Sequence, residues 1–313
     1  MNATRPRILV VRFSAIGDCV MAAWAATAIR QKYPDAFLAW AVEGRCAPVI
    51  DRHRLVTQRI EFPRDRWRQS RWTPATWREQ LLKHTNLRKL RFDWGVDLQG
   101  HSKTAICLRI ARPKRRLAAA ATDAFSRSLN PQAGPRPEGL HDVEWQNRVI
   151  NQIEPFELPV RPWLPEVGGE SDPRRVTIAV SAGQADKAYP IAQWEQVAAR
   201  LIADGWHVTF VGGKHDPHPN VAGADDQVGE LRLKDTMRLI QSSALHLAAD
   251  TGTGHMAAGL GVPVISVFGP TDPQRYRPYS DRGVVLRAPS RVTADVTADE
   301  VLAAVAQHAA IAR

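Results

Sequence analysis

Cysteine is scarce in this chain of 313 residues: Cys19, Cys46 and Cys107 stand far apart, with no CxxC spacing. That excludes a disulfide framework and reads as three reduced thiols in or near a core. Long apolar runs are missing too. No stretch approaches the ~20 apolar residues that cross a bilayer. Met1 to Arg7 pass straight into Ile8-Leu9-Val10-Val11, without the longer apolar region and small-residue cleavage site of a signal peptide, so a cytoplasmic protein is expected. Several motifs are also absent: GxGxxG, the P-loop, the GxSxG elbow, and the Asp-x-Asp pair with which many enzymes hold a metal against a diphosphate. His215, Asp216 and His218 cluster, but Pro217 and Pro219 make that segment a turn rather than a ligand set, and no metal is expected.

What is abundant is positive charge. The formal net charge is +10, which points to an acidic partner: nucleic acid, anionic lipid, or a phosphorylated or carboxylated substrate. Much of it is local. Between Glu61 and Phe92 nine Lys and Arg residues face three acids, with Trp67, Trp72 and Trp77 interleaved. Two readings stand. Indole rings settle at headgroup depth while guanidinium groups pair with phosphate, which suits a membrane surface or an acidic amphiphile. Alternatively, the segment is a solvated charged helix whose tryptophans pack inward.

Two series of alternating strands and helices predict α/β layers around parallel sheets. The first starts with a strand over Ile8 to Phe13, followed by Ser14-Ala15-Ile16-Gly17-Asp18 and an Ala-rich helix to about Lys32 that Pro34 stops; strands follow near Phe37 to Val42 and Trp94 to Leu98. The second places strands at Val176 to Ser181, His207 to Val211, Leu245 to Ala249 and Val264 to Phe268, with helices near Trp194 to Ala203, Thr236 to Ser243 and Thr253 to Leu260. A Pro- and Gly-rich stretch from Pro155 to Pro173 reads as the linker, giving domains 1–165 and 166–313, and a last helix over Ala298 to Ala312 is free to cap either half. Asp123 to Leu140 reads as a surface loop, inert or a lid.

The richest segment runs from Asp250-Thr251-Gly252-Thr253-Gly254-His255 to Gly269-Pro270-Thr271-Asp272-Pro273: strand end, glycine turn, helix start and next strand. Free N–H groups and the positive end of the helix dipole suit a pyrophosphate there, with Gly252 and Gly254 allowing close approach; an ordinary tight turn is the alternative. Lys187, in the loop after the Val176 strand, is placed to reach a phosphate at the same sheet edge, and Asp216 to meet a ribose hydroxyl. Asp18, at a strand-to-helix handover, is a candidate general base; the rival role is a helix cap.

Together these residues resemble glycosyltransferase family 9, the ADP-heptose:lipopolysaccharide heptosyltransferases. The resemblance rests on the Asp250–His255 and Gly269–Pro273 motifs, with Ser14-Ala15-Ile16-Gly17-Asp18 and Asp97-Leu98-Gln99-Gly100 in the right order. It implies the α/β GT-B fold, with two Rossmann-like domains facing each other across a cleft, the first for the acceptor and the second for the nucleotide sugar. It implies an inverting transfer that uses neither metal nor cofactor, ADP-heptose being the donor substrate. Asp18 is then the base, Lys187 contacts the donor phosphate, and Asp250, Thr251, Gly252, Thr253, Gly254 and His255 line the donor site with Asp216. An acidic, lipid A-linked core oligosaccharide is the acceptor, held by Arg64, Arg66, Trp67, Arg68, Arg71 and Trp72 at the anionic inner face of the inner membrane. The Ala182-Gly183 pair before Lys187 replaces the Thr pair of some relatives, and His101-Ser102-Lys103-Thr104 has no close match to the family. Two other classes compete: a GT-B sugar-nucleotide epimerase, which needs acid and base on both faces of the sugar, and a nucleic-acid binder drawn by the basic segment, which the motifs make an unexpected partner.

Overall fold

A computed structural model of the chain describes residues 5–311, with side chains described to residue 308. Met1 to Thr4, part of the segment read for a signal peptide, and Ala312, the end of the expected last helix, lie outside the described residues. The chain divides into two compact units, Met1–Pro165 and Glu166–Arg313.

The first unit contains β1 (Arg7–Val11), α1 (Ile16–Lys32), β2 (Phe37–Glu43), β3 (Gln58–Phe62), α2 (Arg64–Gln69), α3 (Pro74–Lys89), β4 (Trp94–Asp97), α4 (Ser102–Ala111), β5 (Arg115–Ala118), α5 (Ala124–Leu129) and α6 (Asp142–Asn151). Its five strands are parallel, in the order β3-β2-β1-β4-β5. Parallel strands covered on both faces need apolar runs rather than alternation, and Ile8 to Val11 are all fully buried. α1 is buried nearly all round, which its alanines permit: the small side chains let it lie close under α6. The buried Thr27 hydroxyl donates back to the Ala23 carbonyl and accepts the Trp163 N–H. The Pro-rich stretch is therefore not a loose linker: Phe156 packs on Trp94, Lys32 binds the Pro155 carbonyl, and Asp172 onward is already strand. Asp123 to Leu140 is also more than a loop. Asp123 caps α5 by accepting the Ser126 N–H, and Ala118 bridges to Gln132.

The second unit contains β6 (Asp172–Ala179), α7 (Ile191–Ala203), β7 (His207–Gly212), β8 (Asp225–Val228), α8 (Leu233–Gln241), β9 (Ser243–Ala249), α9 (Gly252–Leu260), β10 (Val264–Val267), α10 (Pro273–Tyr276), β11 (Gly283–Leu286) and α11 (Ala298–Ile311). Six parallel strands run in the order β11-β10-β9-β6-β7-β8. Val301, Ala304 and Val305 of α11 join the core of this unit with Trp194, Val197 and Leu201 of α7, so the last helix caps the second half. All three cysteines are buried free thiols.

In each sheet the strand order reverses once, between β1 and β4 and between β6 and β9. Adjacent crossovers leave to opposite faces at such a point, and the crevice they open lies beyond the strand carboxyl ends.

Candidate active site

In the first unit the register pairs Val11 with Asp97, which sets the loops after β1 and β4 side by side. Gln99 ties them together: its Oε1 accepts the Phe13 N–H at 2.9 Å and the Ser14 N–H at 3.4 Å. Asp18 lies in the first turn of α1, not at its cap, which is Ala15. Its Oδ2 accepts the Ala15 N–H at 2.9 Å and pairs with the Arg12 guanidinium at 2.9 Å. The cap reading is corrected in position: Asp18 closes the helix start from its third residue. The carboxylate closes the helix N-terminus and remains 30% exposed, within reach of a ligand. Arg12 is buried and also donates to the Leu98 carbonyl. Burial alone would weaken its proton, but the Asp18 carboxylate outweighs this and holds the guanidinium charged.

Asp97 ends β4 with no exposure, its Oδ1 accepting the Gln99 and Gly100 N–H groups at 2.9 and 3.1 Å. Burial pushes its carboxyl up to about 6, against the pull of those two amides. Gly100 turns the chain with φ +75°, and a Cβ there would sit 2.4 Å from the Ala120 carbonyl oxygen. Only glycine fits.

Sequence reasoning missed two residues here. Glu43, the buried last residue of β2, holds Lys103 at 3.1 Å, Arg64 at 3.1 Å and Arg45 at 3.2 Å. Burial raises its carboxyl, but these cations, Lys103 foremost, outweigh burial and leave it below the usual range. Lys103 also donates to the Ser14 hydroxyl at 3.2 Å, which brings it to the β1 loop that carries Asp18. The signal was the position of each, an acid at a strand carboxyl end and a lysine in the first turn of the helix after Asp97-Leu98-Gln99-Gly100.

Arg64 and Lys103 face a cavity of about 280 Å³ shared with Phe13, Trp67, Arg68, Arg71 and His84. Four of the six expected acceptor residues are therefore together: Arg64, Trp67, Arg68 and Arg71. Arg66 and Trp72 are not. Arg66 is drawn off by a forked pair to Glu79 at 2.5 and 2.6 Å, and Trp72 is 80% exposed. The tryptophans divide between the two readings: Trp67 packs inward against Phe62, while Trp72 and Trp77 stand in solvent.

In the second unit the β6–β9 register pairs Ile178 with Leu247, so the loops after these strands are neighbours. Lys187 of the first loop meets Asp250 of the second, Nζ to Oδ2 2.8 Å. Asp250 is almost buried, and the pair fixes the position of the lysine ammonium. Thr251 caps α9, accepting the Thr253 N–H, and its hydroxyl shares a 2.7 Å hydrogen bond with that of Thr253. Gly252 and Thr253 are part-exposed in the first turn and His255 is buried. Gly254 is buried, and a Cβ there would lie 3.3 Å from Pro278 and 3.6 Å from Ser266, so the missing side chain lets α9 pack on its own sheet. Asp216 lies at the same sheet edge, but its Oδ2 already accepts the Ser181 hydroxyl and the Gly213 N–H. Asp272 of the second motif caps α10. Among the described residues no group of three or more His, Cys, Asp or Glu is arranged to hold a metal ion, and His218 pairs with Asp226 at 2.7 Å.

A loop lysine thus stands beside a hydroxyl-capped helix N-terminus at the switch point of a parallel sheet, where open α/β sheets commonly bind phosphorylated ligands. The family model described as glycosyltransferase family 9 (heptosyltransferase) matches residues 81–305, well over half the chain. The chain belongs to glycosyltransferase family 9. It is a glycosyltransferase of the GT-B fold, with two Rossmann-like units. Among its relatives, lipopolysaccharide heptosyltransferase 1 of Pseudomonas aeruginosa is 27% identical over 285 residues, covering 85% of this chain and 79% of that one. The solved structure of Escherichia coli heptosyltransferase WaaC with ADP is similar at a TM-score of 0.82, with 22% identity over 96% of this chain and 99% of that one. A more distant likeness is to the iron-containing dodecameric glycosyltransferase TibC of enterotoxigenic E. coli, with a TM-score of 0.60, 14% identity, and 99% and 77% of the two chains covered. The family match takes in Lys187, the Asp250–His255 turn and the Gly269–Pro273 motif. Asp18, Glu43 and Arg64 lie before it.

Proposed function

We propose that this family 9 enzyme transfers heptose from ADP-heptose to a lipid A-linked core acceptor of lipopolysaccharide, inverting the anomeric centre without a metal. Asp18 takes the proton of the acceptor hydroxyl as that oxygen bonds to the anomeric carbon. The bond from that carbon to the diphosphate oxygen breaks in the same step, and ADP leaves with the electron pair. Lys187 and the first-turn N–H groups of α9 offset the charge gathering on the diphosphate, the work that a metal does in enzymes with an Asp-x-Asp pair. Arg12 pairs with one of the Asp18 oxygens and holds the carboxylate in place. Lys103, Arg64, Arg68 and Arg71 suit the acids and phosphates of the acceptor, whose lipid end would place the enzyme on the cytoplasmic face of the inner membrane.

The observation that carries this reading is the 2.8 Å Lys187–Asp250 pair beside the start of α9, a cation presented where a diphosphate would meet backbone amides. A thermal-shift panel of ADP-, UDP- and GDP-sugars tests it, since a ligand that binds the folded state raises the melting temperature. ADP-heptose should give the largest shift, and a flat response to it would remove the donor assignment. Transfer that survives exhaustive chelation supports metal independence; activity restored by iron or another added metal would end it.

A further inference from the structure

Eight large apolar side chains are strongly exposed among the described residues, and four of them fall within eleven positions: Trp72 at 80%, Trp77 at 61%, Leu81 at 64% and Leu82 at 50%. They belong to α3 and the turn before it. The inward side of α3 is fixed by Leu87, which joins the sheet core, and by Gln80 and His84, which line the basic cavity. At 100° per residue, Trp77, Leu81 and Arg88 form one row along the helix, and Arg78, Leu82 and Lys89 the row beside it. Arg78, Arg88 and Lys89 are exposed, and Arg71 stacks over the Trp72 ring at 5.2 Å. The only acid of α3, Glu79, is held on the other flank by Arg66 and the Trp67 indole. The outward arc therefore holds two indoles, two leucines and three cations, and no carboxylate.

We infer that this arc is a docking surface for an anionic phospholipid bilayer. Trp72, Trp77 and Leu81 enter the boundary between headgroups and acyl chains, while Arg78, Arg88 and Lys89 pair with lipid phosphates. α3 then lies in the plane of the interface without crossing it; no described helix is long and apolar enough to span a membrane. The charge pattern selects this occupant over a second copy of the chain, because a two-fold contact would set the same three cations against themselves. The inference names the element that would carry the membrane placement proposed above, yet its test requires neither donor nor acceptor.

The intact protein is sedimented with vesicles of phosphatidylcholine alone or mixed with phosphatidylglycerol, at low and high salt. Binding is expected to the mixed vesicles only and to weaken with salt. Trp77→Ala combined with Leu81→Ala should lower the partition coefficient about tenfold or more, with an unchanged melting temperature and unchanged transfer to a lipid-free acceptor fragment. In a second measurement, brominated lipids should quench tryptophan fluorescence in the wild type and do so less in Trp72→Phe. Equal binding to neutral vesicles, wild-type partition by the double variant, or self-association or oligonucleotide binding in place of vesicle binding would each overturn the docking surface. Transfer to the soluble fragment reports the enzymatic reading separately.

Discussion

The two sheets open at equivalent points and fill the openings differently. Beyond β1 and β4 the crevice is lined by charged side chains, each tied to a buried or half-buried partner: Asp18 to Arg12, and Lys103 and Arg64 to Glu43. Beyond β6 and β9 it is lined mostly by backbone and hydroxyls, with one ion pair between Lys187 and Asp250. Proton abstraction needs a carboxylate whose ionisation is set by its neighbours, and an acidic acceptor needs cations held in place. A diphosphate is met well by amide dipoles that cost nothing to reorganise. One topology can therefore serve either task, according to what the loops after the strands carry.

The largest expected effect lies in the first unit. Asp18→Asn keeps the size of the side chain and removes the base, so transfer should fall by about 10³–10⁴-fold. The thermal shift given by ADP-heptose should persist. Retained turnover in a single-turnover assay would break the contrast at its strongest point. Lys187→Ala comes next, with a loss of about 10²–10³-fold in kcat/KM and a weaker ADP shift; a loss confined to acceptor KM would mean that the units had been assigned the wrong tasks.

Smaller effects sharpen the role of the buried charges. Glu43→Gln leaves Lys103 and Arg64 without their shared carboxylate and should cost on the order of 3 kcal/mol by denaturant unfolding, with a raised acceptor KM. Asp97→Asn tests the raised carboxyl directly. Because the folded state holds this proton up to about pH 6 while the unfolded chain releases it near 3.8, the wild type should lose stability as pH rises from about 4 through 6. The loss is on the order of 3 kcal/mol, and it should be absent from the pH profile of the variant, since Asn still accepts the two N–H bonds but does not titrate. Parallel profiles would remove that assignment.

Apolar runs were legible because a strand buried on both faces must be apolar throughout, which is how β1, β2, β4, β6, β7, β9 and β10 stood out. β3, β5, β8 and β11 did not. Each sits beside or at a sheet edge, where half the surface meets water and the run is short or broken by charge, as in Gln58–Phe62 and Asp225–Val228. The 250–255 loop was visible as a contiguous motif, whereas in the first unit Asp18, the Asp97–Gly100 run and four of the cavity residues were visible but Glu43 and Lys103 were not. Glu43 and Lys103 are sixty residues apart and meet through the β2-β1-β4 order.

The sequence by itself determined the α/β class, the break near residue 165, the family, and the turn at 250–255, all of which follow from local periodicity and contiguous motifs. Only the tertiary structure decided which charges pair and which side chains are left over. It made Gly254 a packing residue, gave Asp250 to Lys187, drew Arg66 to Glu79, and left Trp72 and Trp77 facing out. These outcomes depend on register and strand order, which bring distant residues within a few ångströms, and at that range Coulomb attraction and burial outweigh any preference that a residue shows in isolation.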